Sequence, residues 1–138
     1  ESYEFAIGRA TVLKEGSDVT LLACGIMTAK ALEAAGILAQ EGISAEVINV
    51  GTIKPLDRET ILTSLKKTGR AVTAEEHSII GGLGSAVSEL TAEELPVPVL
   101  KVGIRDTFGE SGNPEELLVA YGLTAEEIAG KARAVCAL

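Results

Sequence analysis

One histidine and two cysteines are all that these 138 residues offer a transition metal. A zinc centre needs three or four converging His, Cys or carboxylate ligands, and His77, Cys24 and Cys136 lie far apart in the sequence, so no metal site is expected. Two cysteines without framework spacing also argue against a disulfide scaffold and for reduced thiols. Basic residues are in deficit, 12 Lys and Arg against 20 Asp and Glu, for a formal charge of −8. That balance opposes nucleic-acid binding, which needs clustered cations to displace counterions from phosphates. No apolar run approaches the roughly 18 residues that would cross a bilayer, so no membrane contact is expected. The start "ESYEFAIGRA" lacks the basic and apolar regions of a signal peptide. Together these features suggest a cytoplasmic chain, and the lack of an initiating Met suggests a trimmed start. Also missing are internal repeats, low-complexity tracts, a linker, the phosphate loop G-x-x-x-x-G-K-[ST] and the hydrolase turn G-x-S-x-G.

What is present is a regular exchange of two hydrophobic periods. An apolar content of 46% with 23% charged residues is that of an ordinary globular chain, and the length suits a single domain over 1–138. "DVTLLACG" (18–25), "SAEVINVG" (44–51), "RAVTAEE" (70–76) and "VPVLKVGI" (97–104) are short apolar runs of the kind that form strands buried on both faces. Between them Ala31, Leu32, Ala35, Leu38 and Ala39 fall at helical spacing, as do Ile61, Leu62 and Leu65, and then Leu83, Ala86, Val87 and Leu90. Strand and helix in alternation predict a parallel sheet covered by helices. An earlier run, "RATVLKEG" (9–16), reaches the next strand through Gly16 and Ser17. A parallel crossover needs a dozen or more residues, so this strand must lie antiparallel or change edge.

The C-terminal quarter carries helix punctuation. Asn113 with Pro114 and Glu116 predicts a capped helix ended by Gly122, and Thr124 with Glu127 predicts a second capping box. Both helices are expected to pack on the sheet through Leu117, Leu118, Tyr121, Ile128 and Val135.

Candidate chemistry gathers in "TAEEHSIIGGLGSAVSEL" (73–90), which holds the histidine between two glutamates and three glycines. Gly82 and Gly84 give half a dinucleotide fingerprint, but Val87 stands where a third small residue should let helix and strand approach. Glycines ahead of a helix still expose backbone N–H groups to an anion. Glu75, Glu76 and His77 fall at a strand's C-terminal end, where open α/β sheets place ligands. The candidate domain-contact or anion site is therefore Glu75, Glu76, His77, Gly81, Gly82 and Gly84, against the plainer reading of a tight turn that uses glycine's backbone freedom.

Four phrases, "YEFAIGRATVLKEGSDVTLLACG", "KALEAAGILAQEGISAEVINVGTIKPLD", "EEHSIIGGLGSAVSEL" and "DTFGESGNPEELLVAYGLTAEEI", together resemble the C-terminal domain of transketolase-like, thiamine-diphosphate-dependent enzymes. "FGESG" followed by "YGLT" is closest to the transketolase branch. The resemblance implies a three-layer α/β/α domain with a five-stranded mixed sheet in the order 1-3-2-4-5, strand 1 antiparallel. It puts the crevice where chain direction reverses between "CGIMT" (24–28) and "EEHSIIGG" (75–82). It implies thiamine diphosphate and a divalent metal, Mg or Ca, held by an N-terminal domain with a G-D-G motif and by a pyrimidine-binding domain. No G-D-G occurs in this sequence, so no catalytic or cofactor-binding residue carries over. The expected partners are those two domains and a second copy, with two-carbon ketol transfer in the complete enzyme and none by this chain alone. The alternatives are a regulatory anion- or nucleotide-binding module, a 2-oxoacid dehydrogenase β subunit, or 1-deoxyxylulose-5-phosphate synthase.

Overall fold

Five β-branched-rich runs become five strands in the computed structural model, which describes residues 9–78, 82–104 and 122–138. They are β1 (Ala10–Lys14), β2 (Val19–Ala23), β3 (Ala45–Val50), β4 (Ala71–Ser78) and β5 (Val99–Ile104). The described helices are α1 (Met27–Gln40), α2 (Arg58–Thr68), α3 (Leu83–Glu94) and α4 (Ala125–Cys136). The sheet order is β1-β3-β2-β4-β5, with β1 antiparallel to β3 and the other pairs parallel. Every residue of the central strand β2 is buried, as a strand covered on both faces requires.

Alternation along β2 divides the core in two. Val19, Leu21 and Ala23 point into a layer with α1 and α4, whereas Leu22 points into a layer with α2 and α3. Ile128 and Val135 are fully buried in the first layer, as their spacing predicts. Leu117, Leu118, Tyr121, "FGESG" and the helix expected after Asn113 lie outside the described residues.

Polar anchors fix the helices on the sheet. Thr124 accepts a 3.1 Å hydrogen bond from the Glu127 amide, the predicted cap of α4. Asp57 caps α2 by accepting from the Thr60 amide and hydroxyl, and it also accepts from the Ala10 amide of β1 at 2.7 Å. One carboxylate thus ties the edge strand to a helix N-terminus. Burial pushes the Asp57 carboxyl up, but the Ala10 and Thr60 hydrogen bonds and the Arg9 charge outweigh it and hold the group below the usual carboxylate range. Buried Glu46 behaves alike. Desolvation raises it, yet hydrogen bonds from Lys67, the Gly16 amide and Ser64, together with the Lys67 charge, bring it lower. Beneath it, Thr20 Oγ1 bonds Ser64 Oγ and Thr68 Oγ1 at 2.7 Å each, so α2 is held to β2 by hydroxyls in full partnership.

The short turn before β2 needs glycine for a steric reason. A Cβ on Gly16 would stand 2.2 Å from the Ala45 carbonyl carbon and 2.4 Å from the Glu46 nitrogen, both backbone atoms. Gly16→Ala should therefore destabilise the fold by about 1–3 kcal/mol, as overpacking does. In helix α4 a Cβ on Gly130 meets nothing within 4 Å. Gly130→Ala should accordingly stabilise by up to about 1 kcal/mol through helix propensity. Urea unfolding of the two variants measures both, and a shift of the same sign in each would contradict the packing.

A pH effect follows from Asp57 and Glu46. Both carboxyls titrate lower in the folded chain than the unfolded values of about 3.9 and 4.3. Their stabilisation is thus complete above about pH 5 and is lost as pH falls through those values. Thermal unfolding followed between about pH 5 and 3 should show the loss, and Asp57→Asn should flatten it. Asp57→Ala, which removes the cap as well as the charge, should cost about 1 kcal/mol at neutral pH. An unchanged acid slope would remove Asp57 from the account.

Candidate functional site

Strands β2 and β4 are neighbours, but the helices that follow them leave on opposite faces of the sheet, α1 with one core layer and α3 with the other. A crevice forms where the two connections part, at the C-terminal ends of the strands. The structure thus places "CGIMT" on one side of this switch point and the backbone of Glu75 to Ser78, with Gly82, on the other.

Strand β4 is irregular here. Ala74 pairs with Val102 of β5 and Ser78 pairs with Ile104, so four steps on β4 match two on its partner. Extra residues of this kind break the alternation of side chains and re-aim them. Glu75 itself keeps to the face of Ala71 and Thr73, the one α3 covers, and is 1% exposed. Its Oε1 accepts from the Leu83 amide and its Oε2 from the Gly84 amide, each at 2.8 Å. These amides belong to the first turn of α3, whose N-cap, Gly82, has no side chain to offer. Free N–H groups at a helix start favour an anion, and the chain supplies its own. The anion expected at the glycine turn is thus, at Leu83 and Gly84, the Glu75 carboxylate.

The other wall holds Cys24 and Gly25. Gly25 has φ +62°, and a Cβ there would lie 3.3 Å from a Glu76 carboxylate oxygen, so Glu76 leans across the crevice onto the turn into α1. Burial raises the Cys24 thiol, and the Glu75 and Glu76 charges raise it further. A thiol so placed stays protonated at neutral pH and is a poor nucleophile. Thr28 donates to Asn49 Oδ1 at 3.2 Å, joining the first turn of α1 to the end of β3. His77 falls on the backbone of β4 beside this group. Its side chain and Gly81 lie outside the described residues.

Gly84 has a packing role that the half-fingerprint did not reveal. A Cβ on it would come within 2.9 Å of Thr73 Oγ1 and of the Lys101 side chain, so this glycine lets α3 lie close against β4 and β5. Thr73 Oγ1 beneath it is buried without a hydrogen-bond partner. Gly82 also lines a shallow groove of about 560 Å³ between the loop after β3 and α3. Lys54 and Arg58 stand on one wall of the groove and Glu89, Glu93 and Glu94 on the other, with Arg58 paired to Glu94, so the groove holds no cluster of free cations for an anion. Among the described residues no three His, Cys, Asp or Glu side chains gather as a metal centre would need.

Replacing the Glu75 carboxylate by an amide leaves one of the two helix-start N–H groups facing an NH2 donor in a dry site. Glu75→Gln should cost about 1–3 kcal/mol, the range for stranding buried polar groups. Glu76→Gln, half-exposed, should stay within about 0.5 kcal/mol. Urea midpoints of the two variants decide it, and equal effects would sink the assignment of Glu75 as the cap of α3.

Residues 8–128 match the family model described as the transketolase C-terminal domain. Over 135 residues the chain is 55% identical to the 6-deoxy-6-sulfo-D-fructose transketolase subunit of Clostridium sp. (strain MSTE9), covering 98% of this chain and 42% of that one. A putative transketolase C-terminal section of Methanocaldococcus jannaschii is 47% identical over 130 residues, 94% of this chain and 40% of that one. The 1-deoxy-D-xylulose-5-phosphate synthase of Heliobacterium modesticaldum is 46% identical over 128 residues, 92% of this chain and 20% of the synthase. Among solved structures, a split gene transketolase described as an inactive β4 tetramer superposes with a TM-score of 0.95 at 56% identity, covering 99% of this chain and 45% of that one. The chain therefore spans less than half the length of each of these relatives. With sequence, sheet order and superposition in agreement, the chain belongs to the transketolase C-terminal domain family.

Proposed function

We propose that this chain is the C-terminal part of a transketolase, which moves a two-carbon ketol unit between sugar phosphates, and that it serves that enzyme by docking and self-association. The observation that carries the reading is the superposition over 99% of the chain on a split transketolase at 56% identity. That relative is described as an inactive tetramer of β subunits. The same is proposed for this chain, which associates with itself and stays inert until joined by the polypeptide that holds the remaining domains.

Thiamine diphosphate would supply the electron sink for the ketol carbanion. The described residues do not fit it. They contain no gathered metal-ligand set, and the carboxylate at the switch point is already bonded to the α3 amides. The cofactor and its metal are accordingly assigned to the N-terminal and pyrimidine-binding domains, and no step is routed through this chain. Its own part is to present the sheet's C-terminal edge, with Glu76 and the His77 to Gly82 segment, as a contact for a neighbouring domain.

The synthase relative, at 46% identity, supports a second reading in which the complete enzyme makes 1-deoxy-D-xylulose 5-phosphate. The higher identity to a transketolase subunit favours ketol transfer. The test is to purify the chain and a polypeptide carrying the missing domains, then measure their association calorimetrically and assay both products. Binding, with ketol transfer by the mixture and by neither part alone, is expected. Transfer by this chain alone, or by its partner without it, would overturn the proposal, and formation of 1-deoxy-D-xylulose 5-phosphate would shift it to the synthase branch.

A further inference from the structure

Strand β1 is attached to the sheet by little buried surface. None of its five residues is buried, whereas all five of β2 are. Val12 is 42% and Leu13 40% exposed. Among the described strands the one partner of β1 is β3, and the register of that pair shifts between Val12 and Lys14, which breaks the ladder near its end. Apolar burial, the main force that holds an element in place, is therefore weak for this strand.

Two carboxylates hold it instead, one at each end. At the start, Asp57 Oδ2 accepts from the Ala10 amide at 2.7 Å while Oδ1 accepts from the Thr60 amide at 3.1 Å. Just past the far end, Glu46 Oε1 accepts from the Gly16 amide at 3.0 Å and from Lys67 Nζ. Asp57 is the N-cap of α2 and Lys67 lies in its last turn, so the two ends of one helix each serve one end of the strand. Between these points β1 and α2 leave a groove of about 610 Å³, lined by Val12 and Thr63 among others, so the middle of the strand stands off the helix.

We infer that β1 is a strap that opens as a unit of its own, ahead of the rest of the fold, and that Asp57 and Glu46 are the clips that keep it shut. Opening gives up a short ladder and two charge-assisted hydrogen bonds. It leaves both core layers in place, because no residue of β1 belongs to the buried set of either. The open state bares the outer edge of β3 (Ala45–Val50), a row of backbone donors and acceptors ready to pair with another strand.

Acid releases the clips. Burial raises both carboxyls, but their hydrogen bonds and the cations that face them, Lys67 for Glu46 and Arg9 for Asp57, bring them below the usual range. Glu59 is the remaining charged residue on the groove. The clips are thus complete above about pH 5 and are lost as pH falls through the folded values.

Hydrogen exchange read by mass spectrometry on the complete protein tests the strap. At neutral pH, corrected for intrinsic rates, amides in 10–16 should exchange at least about a hundredfold faster than those of β2, with little dependence on urea below the unfolding transition. Serine caps a helix as well as aspartate does but has one oxygen in place of two, so Asp57→Ser keeps the α2 cap and frees the Ala10 amide. That variant should speed exchange in 10–16 by about another tenfold. Glu41→Gln, which breaks an ion pair between α1 and α4, should leave it unchanged. From about pH 6 to 4 the corrected exchange of 10–16 should rise about tenfold, and less in Asp57→Ser. Exchange in 10–16 as slow and as urea-dependent as in β2 would overturn the strap, whatever covers the strand. Fast exchange that neither Asp57→Ser nor acid alters would overturn the clips, as would equal acceleration by Glu41→Gln.

Discussion

A carboxylate from the end of a strand bonds the first two amides of the next helix, and the crevice between β2 and β4 takes its character from that contact. Glu75 is buried, and its desolvation is offset by two charge-assisted hydrogen bonds and by the favourable end of the α3 dipole. Alternation along β4 puts Glu75 on the same face as Ala71 and Thr73, and the register of β4 against β5 shifts between Ala74 and Ser78. Gly84 then brings the helix so close to β4 and β5 that no larger residue fits. The end of the strand and the start of the helix are consequently tied to each other.

That contact sits at the switch point of a doubly wound sheet. In a nucleotide-binding relative of the architecture, glycine-rich turns leave helix-start amides free for a phosphate. Here the amides of Leu83 and Gly84 are satisfied from within. On the facing wall, burial raises the Cys24 thiol, and the Glu75 and Glu76 charges raise it further.

The fold was legible because its signals are local. Apolar runs closed by glycine mark strands, and Ile128 and Val135 point inward as their spacing requires. The short turn through Gly16 excludes a parallel crossover, leaving an antiparallel neighbour or a change of edge, and β1 lies at the edge antiparallel to β3, while Thr124 caps α4 as its capping box indicates. The site was less legible because its bonds are not local. Glu75 reaches amides eight and nine residues away across a strand and a turn, a spacing that no capping motif encodes. Asp57 joins Ala10 across 47 residues. The tightness at Gly84 depends on Lys101 of another strand, so a half-fingerprint and a packing glycine look alike in sequence. The sheet order and the position of the crevice came from family resemblance, since periodicity does not order strands.

The central claim is that the anion position at the start of α3 is filled by Glu75 and closed to outside ligands. The most direct measurement is an amide NMR titration at Leu83 and Gly84 with thiamine diphosphate, a sugar phosphate and sulfate in turn. The account predicts that both amides keep their shifts, and stay protected from hydrogen exchange, at millimolar concentrations of each. A saturable shift at either amide, with loss of the Glu75 hydrogen bonds, would contradict it.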